Sequence, residues 1–162
     1  MRIISFVALC SNSGKTTLIE KVVPLLKNRG LRVAVVKHAS KDFDLDKPGK
    51  DSWRFQQAGA DAVVLAGPGR VAIMKTSARE PSQEELIRAA GDVDIVILEG
   101  FKQNARNKIE VYRSGASDRA PLCMSDHSFL ALVSDRRFDV TIPSMDLNDA
   151  EAVAEFILKQ PA

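Results

Sequence analysis

A short segment near the start of the chain combines the residue types that bind phosphate. Residues 11–17 read Ser-Asn-Ser-Gly-Lys-Thr-Thr. In such a loop, backbone N–H groups and the positive end of a following helix hold phosphate oxygens. A lysine at position 15 can reach the outer phosphates, and a threonine hydroxyl at position 16 can bind Mg²⁺. We therefore predict a phosphate-binding loop formed by Asn12, Ser13, Gly14, Lys15, Thr16 and Thr17.

One position departs from the full phosphate-loop pattern. The pattern has a glycine five residues before Gly14, and Leu9 stands there instead. A bulky side chain at a position that needs close approach or a positive φ is expected to weaken binding. The alternative is a helix capped by Ser or Asn, with Lys15 in solvent.

Acidic residues follow two predicted strands. Glu99 comes directly after the apolar residues 95–98, where it can complete a Mg²⁺ shell and act in catalysis with the lysine of the loop. Asp44 and Asp46 follow the second strand, at the edge where ligands of open α/β sheets collect. An ordinary strand-ending turn and a solvated loop are the alternatives. His38 also ends the second strand, but a lone histidine is more often structural.

The spacing of apolar residues predicts the elements that position these groups. A strand at 3–9, a helix at 16–29 and a strand at 32–36 form a βαβ unit of about 30 residues, which implies parallel strands. Further elements are predicted as strands at 62–66, 71–75, 93–98, 108–113 and 129–133, a candidate strand at 140–142, and helices at 51–58, 82–90 and 149–159. The alternation predicts an α/β fold with a mainly parallel sheet.

Composition bounds the class of protein. The 162 residues are 45% hydrophobic and 27% charged, which predicts one domain spanning residues 1–162. The apolar runs fall below the roughly 18 residues of a membrane helix, and the first residues lack a signal-peptide cleavage site. The two cysteines lack disulfide or zinc spacing. We expect a cytoplasmic protein with no membrane partner, and a net charge of +2 argues against a nucleic-acid partner.

Further motifs extend along nearly the whole chain. They read Val-Val-Lys-His at 35–38, Asp-Phe-Asp-Leu-Asp-Lys-Pro-Gly-Lys-Asp-Ser at 42–52, Gln-Ala-Gly-Ala at 57–60, Leu-Glu-Gly-Phe-Lys at 98–102 and Lys-Ile-Glu-Val at 108–111. Together with the loop at 11–17, they resemble the molybdopterin-guanine dinucleotide biosynthesis protein B (MobB) family. The long motif at 42–52 is the specific part of this resemblance.

The resemblance implies a P-loop NTPase-like three-layer sandwich with helices on both faces of the sheet. It also implies a GTP-binding adapter with weak Mg²⁺-dependent GTPase activity. The adapter would assist the molybdenum cofactor guanylyltransferase that attaches GMP to molybdopterin, with molybdopterin as a second candidate ligand. By matching positions, Lys37, His38, Asp42 and Asp44 line the nucleotide end, and Glu99 is the acid on the metal side. Leu9 departs from the family, whose members usually carry glycine there.

Asp135 follows a late strand and is our candidate for reading guanine. Its carboxylate could accept hydrogen bonds from guanine N1–H and the 2-amino group, which adenine does not offer. The alternative is an exposed acid at a strand end, because the chain lacks a full Asn-Lys-x-Asp pattern.

The segment 108–113 alternates charged or polar residues with apolar ones and lies between two loops. This pattern predicts an edge strand that pairs with another chain. The resemblance implies a homodimer, which agrees with this prediction.

Two other functions stay open at this point. One is an adapter that holds nucleotide or phosphate without hydrolysis. Phosphate release is measured with and without Mg²⁺, and release in the presence of Mg²⁺ would exclude this function. The other is a small metabolite kinase with the loop at 39–50 as acceptor site and Asp44 or Asp46 as base. That reading requires a rate that depends on the acceptor.

Overall fold

The computed structural model describes residues 1–39, 43, 45–101 and 105–161. Its contacts divide the chain into two compact units, one formed by Met1–His38 with Leu86–Ala162 and the other by Ala39–Glu85. We describe each unit by itself, and the single domain over 1–162 stays a prediction.

The elements follow one another as the apolar spacing predicts, with ends that differ by one or two residues. In chain order they are β1 (Arg2–Val7), α1 (Lys15–Asn28), β2 (Val33–Lys37), α2 (Asp51–Gln57), β3 (Ala62–Gly67), β4 (Arg70–Lys75), α3 (Gln83–Ala89), β5 (Ile95–Glu99), β6 (Lys108–Tyr112), the 3₁₀ turn η1 (Leu122–Met124), β7 (Phe129–Ser134), β8 (Ser144–Asp146) and α4 (Ala150–Lys159). Among the described residues, no helix has both the length and the apolar character needed to cross a bilayer.

The larger unit is built on a six-stranded sheet in the order β2-β5-β1-β6-β7-β8. Every neighbouring pair in it is parallel. Parallel strands place their carboxyl ends at one edge, so the residues that follow β1, β2, β5, β6 and β7 gather there. The predicted α/β fold with a mainly parallel sheet is confirmed.

Both faces of this sheet are covered. On one face, Ile4, Phe6 and Ile97 pack with buried side chains of α1 and α4. On the other face, Val96 and Leu98 pack against Ile87 of α3. Because successive residues of a strand point to opposite faces, near-continuous apolar strands need a layer on each side. The three-layer arrangement implied by the resemblance is therefore confirmed.

Two expectations about strands are wrong. Residues 140–142 form no strand, because Val140 and Ile142 pack instead beside the apolar cluster that contains Phe129, and pairing with β7 begins at Ser144. The segment 108–113 is not an edge strand.

In that segment, β6 pairs with β1 on one side and β7 on the other, so its hydrogen-bonding groups are used within the chain. The alternation of charged or polar residues with apolar ones in this segment suggests a side that faces solvent, but Glu110 on that side is fully buried. A homodimer formed by pairing this strand with another chain is excluded.

Helix starts are where the sequence places them. Ser82 and Glu85 form a reciprocal cap, in which the Ser82 N–H donates to the Glu85 carboxylate at 2.8 Å and the Glu85 N–H donates to Ser82 Oγ at 3.2 Å. Asp149 accepts from the N–H of Ala152 at 2.9 Å at the start of α4. Side-chain caps of this kind fix where α3 and α4 begin.

The smaller unit contains the antiparallel hairpin of β3 and β4 together with α2. Val64 lies opposite Ile73, and Ala66 lies opposite Val71, so these four side chains share one face. Val64, Val71 and Ile73 are 60%, 68% and 59% exposed. The hairpin therefore presents an apolar face to solvent.

Candidate phosphate-binding site

The predicted phosphate loop connects the central strand β1 to α1. Gly14 lies at the N-cap of α1 with a φ of 89°, and it supplies no side-chain cap. The first N–H groups of a helix have no acceptor within the helix, and they carry the positive end of its dipole. The first turn of α1 also contains no acidic residue. The first turn of α1 therefore offers N–H donors and a partial positive charge that no acidic side chain of that turn offsets.

Leu9 does not have the backbone role that its position in the pattern suggests. Among the described residues, the positive φ values outside glycine fall on Asn12, at 60°, and Asn107, at 50°. In the loop, Asn12 and Gly14 make the left-handed turns. Leu9 therefore does not adopt a positive φ, and the expectation that its side chain hinders a close approach stays a prediction.

The interior of the loop is held by its own hydroxyl and carbonyl groups. Ser13 is buried, and its hydroxyl donates to the carbonyl of Cys10 at 3.0 Å. The ammonium of Lys15 donates to Ser13 Oγ at 3.3 Å and to the Cys10 carbonyl at 3.5 Å. Lys15 is thus folded back over the loop. Thr17 is exposed at the same helix start.

Glu99 meets the start of α1 directly. The hydroxyl of Thr16 donates to Glu99 Oε1 at 2.9 Å, and Lys37 Nζ lies 3.6 Å from Oε2. Sheet register explains the second contact, because Lys37 and Glu99 are paired residues of β2 and β5. Glu99 is 8% exposed, so this carboxylate is a buried acid between a hydroxyl and an ammonium group.

Gly100 is required by a close approach of two chains. Its φ is 93°, and a Cβ at this position would lie 2.9 Å from the carbonyl oxygen of His38. The N–H of His38 donates to the Glu99 carbonyl at 2.8 Å, and its ring lies 5.2 Å from that of Phe101. His38 is thus packed beside the acid at the end of β5, which places it at the predicted edge.

Three other predicted acids do not belong to the described part of the larger unit. Asp42 and Asp44 lie outside the described residues, and Asp46 belongs to the smaller unit. Within the part of the chain that the structure describes, no three His, Cys, Asp or Glu side chains cluster as a metal site. Any Mg²⁺ here would rely on Thr16, Glu99 and oxygens from phosphate and water.

Asp135, predicted to read guanine, anchors a neighbouring loop. Its carboxylate accepts from the Ser114 N–H at 2.9 Å and from the Ser114 hydroxyl at 2.8 Å. Partial burial opposes ionisation, but these hydrogen bonds and the nearby Arg113 charge hold the pKa of the Asp135 carboxyl below its usual range. It stays ionised at neutral pH, and its role toward a base stays a prediction.

Arg113 is a basic residue that the sequence analysis did not single out. It follows β6, and a Cβ placed on Gly14 would lie 3.1 Å from Arg113 Nη2. The sequence does contain a signal for this residue. A polar residue at the end of a parallel strand lies at the carboxyl edge of the sheet, and this rule applies to Arg113 as it does to Glu99. The apolar pattern predicts a strand over 108–113, which includes Arg113, whereas β6 ends at Tyr112.

The sequence of this chain is similar to known proteins over most of its length. The sequence profile described as molybdopterin guanine dinucleotide synthesis protein B (MobB) matches residues 3–135. Two relatives, from Escherichia coli and Haemophilus influenzae, are each named molybdopterin-guanine dinucleotide biosynthesis adapter protein. They are 36% and 38% identical to this chain, and the matches cover 94% and 91% of the chain and 89% and 83% of the relatives.

A solved structure gives the same result for the fold. The crystal structure of a molybdopterin-guanine biosynthesis protein B is 36% identical to this chain and superposes with a TM-score of 0.69, and the match covers 96% of each chain. The profile match, the two adapter relatives and this structure agree over most of the chain. The chain belongs to the MobB family of molybdopterin guanine dinucleotide synthesis proteins.

Proposed function

We propose that this chain binds GTP with Mg²⁺ at the loop before α1 and acts as an adapter in the biosynthesis of molybdopterin guanine dinucleotide. The observation that carries the nucleotide part is the contact of Thr16 with Glu99 beside Lys15. It places a hydroxyl, a carboxylate and an ammonium group around one helix start. The adapter part rests on family membership and on the names of the relatives.

The residues present fit a magnesium ion. Mg²⁺ prefers oxygen ligands and is usually bound through one or two protein groups together with phosphates and waters. The Thr16 hydroxyl and the Glu99 carboxylate are such groups, and they lie 2.9 Å apart. When bound, the ion would neutralise charge on the phosphates, while Lys15 contributes a second positive charge from the protein. Slow GTP hydrolysis would follow from the same arrangement.

The partner in this proposal is the molybdenum cofactor guanylyltransferase, with molybdopterin as a second candidate ligand and the cytoplasm as the place of action. A nucleotide bound at the carboxyl edge of the sheet would leave the rest of the protein surface open to contact by a second protein. Two rival functions predict different results. A non-hydrolysing adapter releases no phosphate with Mg²⁺ present, whereas a kinase releases GDP at a rate that depends on an added acceptor.

The proposal is tested by calorimetric titration of the chain with GTP and ATP, each with and without Mg²⁺. We expect GTP to bind at least about tenfold more tightly than ATP, and Mg²⁺ to strengthen binding. The Glu99→Gln variant keeps an oxygen that accepts from Thr16 but removes the charge, so the gain from Mg²⁺ should fall. Absence of binding by either nucleotide would exclude the proposed site.

The guanine reader is tested by a separate variant. Asp135→Asn is expected to reduce the preference for GTP over ATP, because its amide presents donors toward the donors of guanine. Asp139→Asn is the matched control, since Asp139 is an exposed acid four residues further along. Competition binding with both nucleotides measures the preference. If Asp135→Asn discriminates as well as Asp139→Asn does, another residue reads the base.

We also propose that the chain forms a homodimer, and the hairpin face of β3 and β4 is the surface that supports it. A two-stranded hairpin is marginal by itself and gains stability when its apolar face is covered. The cross-strand neighbours Val64, Ile73, Ala66 and Val71 form a continuous exposed apolar face, of the kind that marks an interaction surface. A second copy of the chain offers an identical face, which a two-fold axis can bring together with the first.

The homodimer is tested by sedimentation at micromolar concentration. We expect twice the monomer mass for the wild type and the monomer mass for the double variant V71K/I73K. Lysines on both chains would repel and would leave charge in an apolar contact. The control is Ala72→Lys, which places the same charge on the opposite face of the hairpin. A wild type that sediments as a monomer would refute the proposal.

A further inference from the structure

Arg113 places a guanidinium group against the phosphate loop. A Cβ built on Gly14 would meet three atoms of this group, Nη2 at 3.1 Å and Cζ and Nε at 3.6 Å. The sheet order explains the approach, because β1 lies between β5 and β6. Glu99 therefore reaches the loop from one side and Arg113 from the other.

The guanidinium has no close anionic partner in the described part of the chain. No described carboxylate lies within 4.0 Å of it, although its charge acts on Asp135. Two further positive groups are nearby, the ammonium of Lys15 and the start of α1. Arg113 thus adds a positive group beside the loop, where a bound phosphate would be attracted to all three groups.

The loop that follows Arg113 is fixed next to the phosphate loop. Ser114 is held by the carboxylate of Asp135, and the thiol of Cys10 donates to the carbonyl of Ala116 at 3.1 Å. Tyr112, just before Arg113, donates its hydroxyl to the Ser117 carbonyl at 2.9 Å. The backbone that carries Arg113 is thus anchored on both sides. A side chain on an anchored backbone loses less freedom on binding than one on a free loop.

We propose that Arg113 is a phosphate-binding residue of this site, which donates from its guanidinium to the polyphosphate held by residues 11–17. This inference rests on the proposed nucleotide function. The planar fork of arginine offers two parallel donors to a phosphate, whereas lysine offers a point charge.

The test compares three variants with the wild type, using GTP and inorganic tripolyphosphate as probes with Mg²⁺ present. Arg113→Gln should weaken binding of both probes by about tenfold or more, because it removes a charge-assisted contact. Arg113→Lys should retain part of the affinity. Arg119→Gln is the matched control, since Arg119 is an exposed arginine of the same loop region and should bind as the wild type does.

Each outcome separates the inference from the function on which it rests. If the wild type binds GTP and Arg113→Gln binds as tightly as Arg119→Gln, Arg113 has no phosphate contact and only this inference fails. If Arg113→Gln weakens GTP but not tripolyphosphate, the residue contacts base or ribose, and the inference also fails. If the wild type binds neither probe, the proposed nucleotide function is refuted, and the inference that rests on it is refuted with it. Unchanged circular dichroism and thermal midpoint show that the variants are folded.

Discussion

Replacing Lys15 with alanine is expected to weaken GTP binding by about one to two orders of magnitude, because a charge-assisted contact contributes roughly 1.5–3 kcal/mol. In the structure, the ammonium of Lys15 lies over the loop, near Ser13 Oγ and the Cys10 carbonyl. Both are neutral oxygens at long hydrogen-bond distances of 3.3 and 3.5 Å. A charged phosphate oxygen is a stronger acceptor for the ammonium group than either of these neutral oxygens.

The control for this prediction is Lys21→Ala. Lys21 is an exposed lysine of the same helix and lies away from its start. Isothermal titration at fixed salt compares the two variants, because salt screens exposed charges and would blur the difference. If Lys15→Ala binds GTP as tightly as Lys21→Ala does, residues 11–17 do not form a phosphate site.

Replacing Glu110 with alanine is expected to destabilise the fold by about 2–6 kcal/mol, because each buried N–H left without a partner costs roughly 1–3 kcal/mol. The carboxylate is fully buried in β6 and accepts from the N–H of Leu122 at 2.7 Å and of Cys123 at 2.8 Å. It thereby caps η1 and ties the end of the preceding loop to the sheet. Burial, with the neighbouring Glu110, raises the pKa of the Cys123 thiol to about 12, so that thiol stays protonated and unreactive.

Urea denaturation measures this effect. Glu110→Gln keeps one accepting oxygen and turns a donor toward the second N–H. Its free energy of unfolding should therefore lie between those of the wild type and the alanine variant. Glu20→Ala is the control, since Glu20 is exposed on α1 and its removal should change stability by less than about 0.5 kcal/mol. An alanine variant at position 110 that stays within about 1 kcal/mol of the wild type would show that the turn is held by other contacts.

Glu99 and Glu110 show why sequence patterns locate one buried carboxylate and miss another. Glu99 ends a run of buried residues, so its position at the strand end could be inferred from the sequence, and its contact with Thr16 agrees with that inference. Glu110 sits inside a strand, where a charged residue usually faces solvent. Its burial depends on the N–H groups of η1, which lie 12 and 13 residues further along the chain. No local pattern records that pairing.

The order and approximate ends of the elements, and the position of the predicted phosphate loop, can be inferred from the sequence, because strand and helix periods, capping residues and turn glycines are local properties. Which strands are neighbours becomes known from the folded chain. The order β2-β5-β1-β6-β7-β8 put the segment 108–113 inside the sheet and brought Arg113 to Gly14. Strand order follows from how the two apolar faces of the sheet are covered by helices distant in sequence, and that packing is a property of the whole chain.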